Sequence, residues 1–275
     1  MRKNLVILVL IIFIASCSIS QKNNHTRLKG FAKETSIWIE DNSKTILGLV
    51  TLSSKNNVLV IIEGDGNAWI NRYTPSSDPT PKLPLNFIVA SSLPPSWIYL
   101  GRPCQFNKDT DENICNSLLW TMDRFAEPTI QLYNDFLDSI KSQYGLSSFD
   151  LLGYSGGGTI AAILASQRSD VRTLTTLAGN LDVALFNEHH KVSAMPSAIN
   201  PKDLVEQLEK VPQRHVIGLE DDIVPVKIIE SYRKSFVKDD CIKVETVETL
   251  EHNRGWKDYW HNKQFVPPTC NLLSN

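Results

Sequence analysis

No sign of charge dominates this chain: 28 Lys and Arg stand against 30 Asp and Glu, for a formal net charge of -2. A nucleic-acid binder would carry a basic face or stripe, so that class has nothing in its favour. Metal-binding spacing is also lacking. None of the five cysteines stands in a CxxC pair or at a Cys/His interval suited to zinc, and no cofactor is expected. No internal repeat or low-complexity tract recurs, which argues against a solenoid. The apolar run Leu5–Ala15 is too short to span a bilayer as a helix, so a membrane-spanning role is unsupported.

What is present reads as globular material. With 275 residues, 42% hydrophobic and 21% charged, the chain can bury one large core, and one folded domain over 34–275 is the default. The N-terminus differs: a basic start, the apolar Leu5–Ala15 stretch, then Ser16 and Cys17 have the shape of a secretory signal. Ile14, Ala15, Ser16 and Cys17 resemble the lipobox of bacterial lipoproteins. That resemblance implies a signal peptide over 1–16, lipidation of Cys17, and a lipidated N-terminus and tether over 17–33. Ser18, where an aspartate would imply inner-membrane retention, points to the outer membrane of a bacterial cell envelope.

Five cysteines make an odd number, and setting Cys17 aside leaves Cys104, Cys115, Cys241 and Cys270. Outside the cytosol four cysteines suit two disulfides. Of three possible pairings, Cys104 with Cys115 and Cys241 with Cys270 are favoured, since each closes a loop or ties down an end.

Strands are expected at Ser36–Glu40, Ile46–Leu52, Val58–Ile62, Ser96–Leu100, Phe149–Leu152, Val171–Ala178, His215–Leu219 and Ile242–Val247. Between them, helices are expected at Leu85–Ser92, from Pro128 to Gly145, and at Gly156–Gln167, Asp203–Lys210 and Lys227–Phe236. Asn71–Pro84 reads as a loop, and Asn180–Pro201 as an irregular segment that caps the pocket. Strand-helix alternation of this kind predicts an α/β fold, a mostly parallel central sheet with helices on both faces.

The chemistry begins at "FDLLGYSGGG", where Gly153, Ser155 and Gly157 form G-x-S-x-G between a strand and a helix. That context is a nucleophile elbow, whose crowding admits only residues without a Cβ two places before and after the serine. A serine needs a base, and in such a fold the order is Ser, acid, His. Asp221 and Asp222 follow a strand, and His252 lies beyond the last one. His261 sits farther past the strand end, His215 reads as a core histidine, His25 falls in the tether, and His189 and His190 fall in the irregular segment. The amide of Gly156 and an amide in "EGDGNAW", of Asp65 or Gly66, would form an oxyanion hole. The Asp65 side chain itself reads as a loop-ordering group.

On these residues the chain resembles the α/β-hydrolase fold superfamily. The stretches "IEGDGNAW", "YLGRPCQF", "LLGYSGGG", "TLAGNLD" and "GLEDDIVP" resemble secreted or lipoprotein bacterial serine hydrolases of undefined substrate. Glu63–Gly66 stands where esterases of the hormone-sensitive type carry HGG. The resemblance also implies that the triad acid stands four residues before the proline of a D-x-x-V-P stretch, here Asp221 before Pro225. Asp222 would then be a turn residue serving nearby backbone amides. The reading as a whole is a serine hydrolase cleaving a small acyl substrate, an ester or thioester ahead of an amide, through Ser155, Asp221 and His252. The alternative is a noncatalytic envelope lipoprotein that binds a ligand or partner with the same pocket.

Overall fold

A computed structural model describes residues 37–40, 45–84, 89, 93–106, 114–261 and 263–270. The signal peptide, Cys17, the tether and most of the helix expected at 85–92 lie outside the described residues. Eight strands form one sheet in the order β1 (Ile37–Glu40), β2 (Leu47–Thr51), β6 (Trp97–Leu100), β3 (Val58–Ile62), β7 (Phe149–Tyr154), β8 (Val171–Leu177), β9 (Gln213–Gly218) and β10 (Ile242–Val247). Only β1 with β2 and β2 with β6 pair antiparallel; every other pair is parallel. Strand β3, in the middle of the parallel part, is buried on both faces, which is why "VLVII" has no polar alternation.

Alternate residues of β3 serve two apolar layers. Val58, Val60 and Ile62 join α1 (Glu127–Tyr144), α2 (Gly156–Gln167) and, through Ile228, Ile229 and Tyr232, α5 (Val226–Lys234). Leu59 and Ile61 face the other layer, with Trp256 and Trp260 of α6 (Trp256–Trp260). Helix α1 begins with Pro128 in its first turn and ends at Gly145, whose φ of 64° makes a left-handed cap. Cys104 bonds to Cys115, and Cys241 to Cys270.

The segment after β3 is not all loop. β4 (Trp69–Asn71) and β5 (Thr74–Pro75) form a hairpin that runs into the loop expected at Asn71–Pro84. Asn71 Oδ1 accepts from the amides of Tyr73 and Thr74 at 2.9 and 3.0 Å, and this side-chain turn closes it. The segment after Asn180 also holds order: Asp182 caps α3 (Val183–His189), its Oδ1 accepting from the Leu185 amide. The helix expected at Asp203–Lys210 is shorter, a 3₁₀ turn at Pro201–Leu204 followed by α4 (Val205–Leu208).

Candidate active site

Strand β7 delivers Ser155 into the turn before α2 with φ 51° and ψ -122°, a conformation that costs a non-glycine residue strain. A Cβ on Gly153 would lie 2.3 Å from the Gly157 carbonyl oxygen, and one on Gly157 would lie 2.4 Å from the carbonyl oxygens of Ile62 and Glu63. All of these obstacles are backbone and cannot swing aside. The glycine spacing is therefore a consequence of the turn pressing on its own helix and on the end of β3.

Asp221 follows β9 and His252 follows β10, so adjacent parallel strands bring both to the edge where Ser155 stands. His252 Nε2 is 3.1 Å from Ser155 Oγ, and His252 Nδ1 is 2.9 and 3.1 Å from the two Asp221 oxygens. A carboxylate can only accept, so Nδ1 carries the proton and Nε2 presents its lone pair to the serine hydroxyl. Asp221 is buried, and its Oδ1 also accepts from the amides of Ile223 and Val224 at 3.0 and 2.7 Å. The amide-binding role expected of Asp222 thus belongs to Asp221; Asp222 is exposed.

The loop carrying His252 is fixed from below. The His252 carbonyl accepts from the Tyr154 hydroxyl at 2.6 Å and from Trp256 Nε1 at 2.7 Å, while the Tyr154 ring stacks on the imidazole at 5.3 Å. Burial raises the Tyr154 hydroxyl far above the usual phenol range, so it stays a donor. Of the remaining histidines, His261 is exposed beyond α6, and His189 lies beside Lys227. His190 Nε2 is 2.7 Å from the Ile223 carbonyl oxygen, and His215 is buried in the core.

The amide of Gly156 opens α2 and has no partner within the helix. In the loop after β3, the Gly64 amide is taken by Glu63 Oε1 and the Asn67 amide by the Pro79 carbonyl. Among the described residues, the amides of Asp65 and Gly66 donate to no protein acceptor, so both stay available beside the elbow. The Asp65 carboxylate lies against Gly156, where a Cβ would come within 2.0 Å of Oδ1. Two arginines hold it there. Arg102 Nη1 is 2.6 Å from Oδ1, and Arg124 Nε is 3.2 Å from Oδ2. Burial disfavours the Asp65 charge, but Arg124 and Arg102 outweigh it and keep the pKa below the ordinary carboxylate value. Their positive charge offsets the negative charge of the carboxylate that lies against Gly156.

Sequence reasoning missed Arg102, Arg124, Tyr154 and Trp256. Arg102 lies within "YLGRPCQF", one of the stretches that carry the family resemblance, and Gln105 from the same stretch donates to the Gly64 carbonyl at 3.0 Å. A cavity of about 530 Å³ opens from this loop, between the β4–β5 hairpin and α3. Asp65, Trp69, Arg124, Phe186, Met195 and Ile223 line it, so it adjoins both the β3 loop and the loop of Asp221.

This architecture is the α/β-hydrolase fold. A bacterial membrane phospholipase A matches it with a TM-score of 0.52 at 17% identity, over 92% of each chain. An esterase of Pyrococcus furiosus matches with a TM-score of 0.57 at 12% identity, over 84% of this chain and 89% of its own. The esterase domain of a Rhodothermus marinus protein matches with a TM-score of 0.52 at 11% identity, over 81% and 91%. No protein-family model and no curated protein matches the sequence.

Proposed function

We propose that the chain is a serine hydrolase that cleaves a carboxylic ester or thioester through an acyl-enzyme on Ser155. The observation that carries this reading is the unbroken hydrogen-bonded path from Asp221 through His252 to Ser155, with the serine held in a strained turn. Ser155 Oγ attacks the acyl carbon while its proton passes to His252 Nε2. The oxyanion so formed is received by the Gly156 amide and by the amide of Asp65 or Gly66. Collapse breaks the bond to the leaving oxygen or sulfur, which takes the proton from His252. Water then repeats the sequence on the acyl-enzyme, releasing the acid and restoring Ser155.

The leaning toward esters draws on the esterases and the phospholipase among the neighbouring folds and on the predominantly apolar cavity that Asp65 and Ile223 line. The reading includes a cell-envelope location, with lipidated Cys17 holding the domain over 34–275 to the membrane, and mass spectrometry of membrane-extracted protein tests that anchor. A fluorophosphonate tests the chemistry. It should add covalently to Ser155 in the wild type and leave Ser155→Ala unlabelled; labelling that persists in the alanine variant would overturn the assignment.

A further inference from the structure

The hairpin between β4 and β5 presents its large side chains to solvent instead of to the core. Trp69 is 38% exposed, Ile70 67% and Tyr73 84%, all within five consecutive residues. A patch of this kind on a folded domain marks a contact surface. Its composition is particular: Trp and Tyr are the residues enriched where a bilayer meets water, and Ile70 adds an aliphatic chain that can enter the acyl boundary. Arg72 stands between Ile70 and Tyr73 and donates to the carbonyl of Lys191, which places one cation beside the apolar tip. Trp69 and Arg72 also line the cavity beside the candidate active site, making the patch continuous with the cavity wall.

We propose that this hairpin seats on a lipid bilayer and holds the cavity mouth at the membrane surface. It lies on the bilayer and does not cross it; no helix among the described residues is long and apolar enough to span one. The chain outside the described fold points to the same occupant, because it contains the apolar run Leu5–Ala15 and the lipobox-like Cys17. Strand β1 runs in the same direction as β3, so the chain enters the fold at the end opposite the loop of Asp65. The stretch from Cys17 to Ser36 reaches roughly 70 Å when extended. A domain of this size is roughly 45 Å across. An N-terminus held at the membrane therefore leaves the hairpin free to reach the same surface.

The test follows Trp69 in the full chain and measures no catalysis, so its result stands apart from labelling of Ser155. The Trp69 emission is obtained by subtracting the Trp69→Phe variant from the wild type. With vesicles of phosphatidylcholine and phosphatidylglycerol carrying brominated acyl chains, this component should be quenched by about twofold or more, as a ring at the acyl boundary requires. Its quenching by aqueous acrylamide should fall by a similar factor. Ile70→Asp with Tyr73→Asp, both at exposed positions, should abolish the bromine quenching and restore acrylamide access. A Trp69 component insensitive to brominated lipid overturns the proposal. So does acrylamide shielding that grows with protein concentration in the absence of vesicles, which would assign the patch to a second copy of the chain.

Discussion

His215 and His252 make a controlled comparison within one molecule. His215 lies within β9 and His252 beyond β10, the two are 1% and 8% exposed, and each is hydrogen-bonded through both ring nitrogens. Each even faces a hydroxyl, Thr176 Oγ1 at 2.8 Å from His215 Nδ1 and Ser155 Oγ at 3.1 Å from His252 Nε2. The second partner separates them. His215 Nε2 meets the amide oxygen of Gln213 at 3.1 Å, whereas His252 Nδ1 meets the carboxylate of Asp221. Gln213 Nε2 donates to the Leu208 carbonyl, which fixes the amide orientation and makes His215 Nε2 the protonated nitrogen. With no anion to stabilise an imidazolium, burial drives the His215 pKa down to about 3. Both rings are buried beside a hydroxyl; the anion behind the ring is what sets His252 apart.

Exchanging each ring for an amide breaks the comparison most directly. His252→Gln should lower turnover by on the order of 10⁶, the scale of losing a triad member that acts with the serine. His215→Gln should leave turnover within a few-fold of wild type, and parallel steady-state assays on one ester check both. Equal losses would mean that the Thr176–His215 pair contributes to the chemistry.

Removing the anion alone sharpens it. In Asp221→Asn the backbone amides of Ile223 and Val224 continue to claim the oxygen at the Oδ1 position. The new amide nitrogen then falls opposite His252 Nδ1 and donates to it, forcing the ring proton onto Nε2, toward the serine. His252 would acquire the tautomer that His215 has, and turnover should drop by about 10⁴. The expected signature is a loss in kcat that high pH partly relieves, read from a pH profile.

The stability consequence runs through His215. The folded state keeps this ring neutral down to about pH 3, while the unfolded chain protonates near the usual histidine pKa of about 6.5. Between those values the unfolded chain binds more protons, so stability falls as pH falls, by up to about 1.4 kcal/mol per pH unit. Denaturant melts from pH 6.5 to pH 4 should show a shallower slope in His215→Gln than in the wild type. An unchanged slope would assign the acid sensitivity to other groups.

How much of this was legible in the sequence follows from the range of the forces involved. The elbow was, because the turn crowds Gly153 against its own helix and Gly157 against the end of β3, and both demands leave glycine at a fixed spacing from the serine. Strand β3 was, because burial on both faces demands five consecutive apolar residues. The Asp65–Arg102–Arg124 cluster was not, since the partners lie far apart in sequence and only the sheet order brings β3 and β6 side by side. The β4–β5 hairpin was hidden for another reason. Its turn is closed by the Asn71 side chain and its strands, of three and two residues, are too short to show an apolar alternation, so a proline-rich polar stretch masked it.

The smallest effect is expected at Asp222, which tests whether the acid beside His252 is unique. Sequence alone offers two adjacent carboxylates, and the choice between them rested on resemblance to related chains. In the fold the turn after β9 sends Asp221 inward, where it is buried against His252 and two backbone amides, and Asp222 outward into solvent. An exposed carboxylate that makes no hydrogen bond among the described residues has little to lose on amidation. Asp222→Asn should change stability by no more than about 0.5 kcal/mol. It should also leave kcat/KM within roughly twofold, since no proton or charge in the relay depends on it. Denaturant melts and steady-state kinetics run beside Asp221→Asn decide the point: a severe catalytic loss at Asp222, with Asp221→Asn still active, would move the anion that His252 needs to the neighbouring residue.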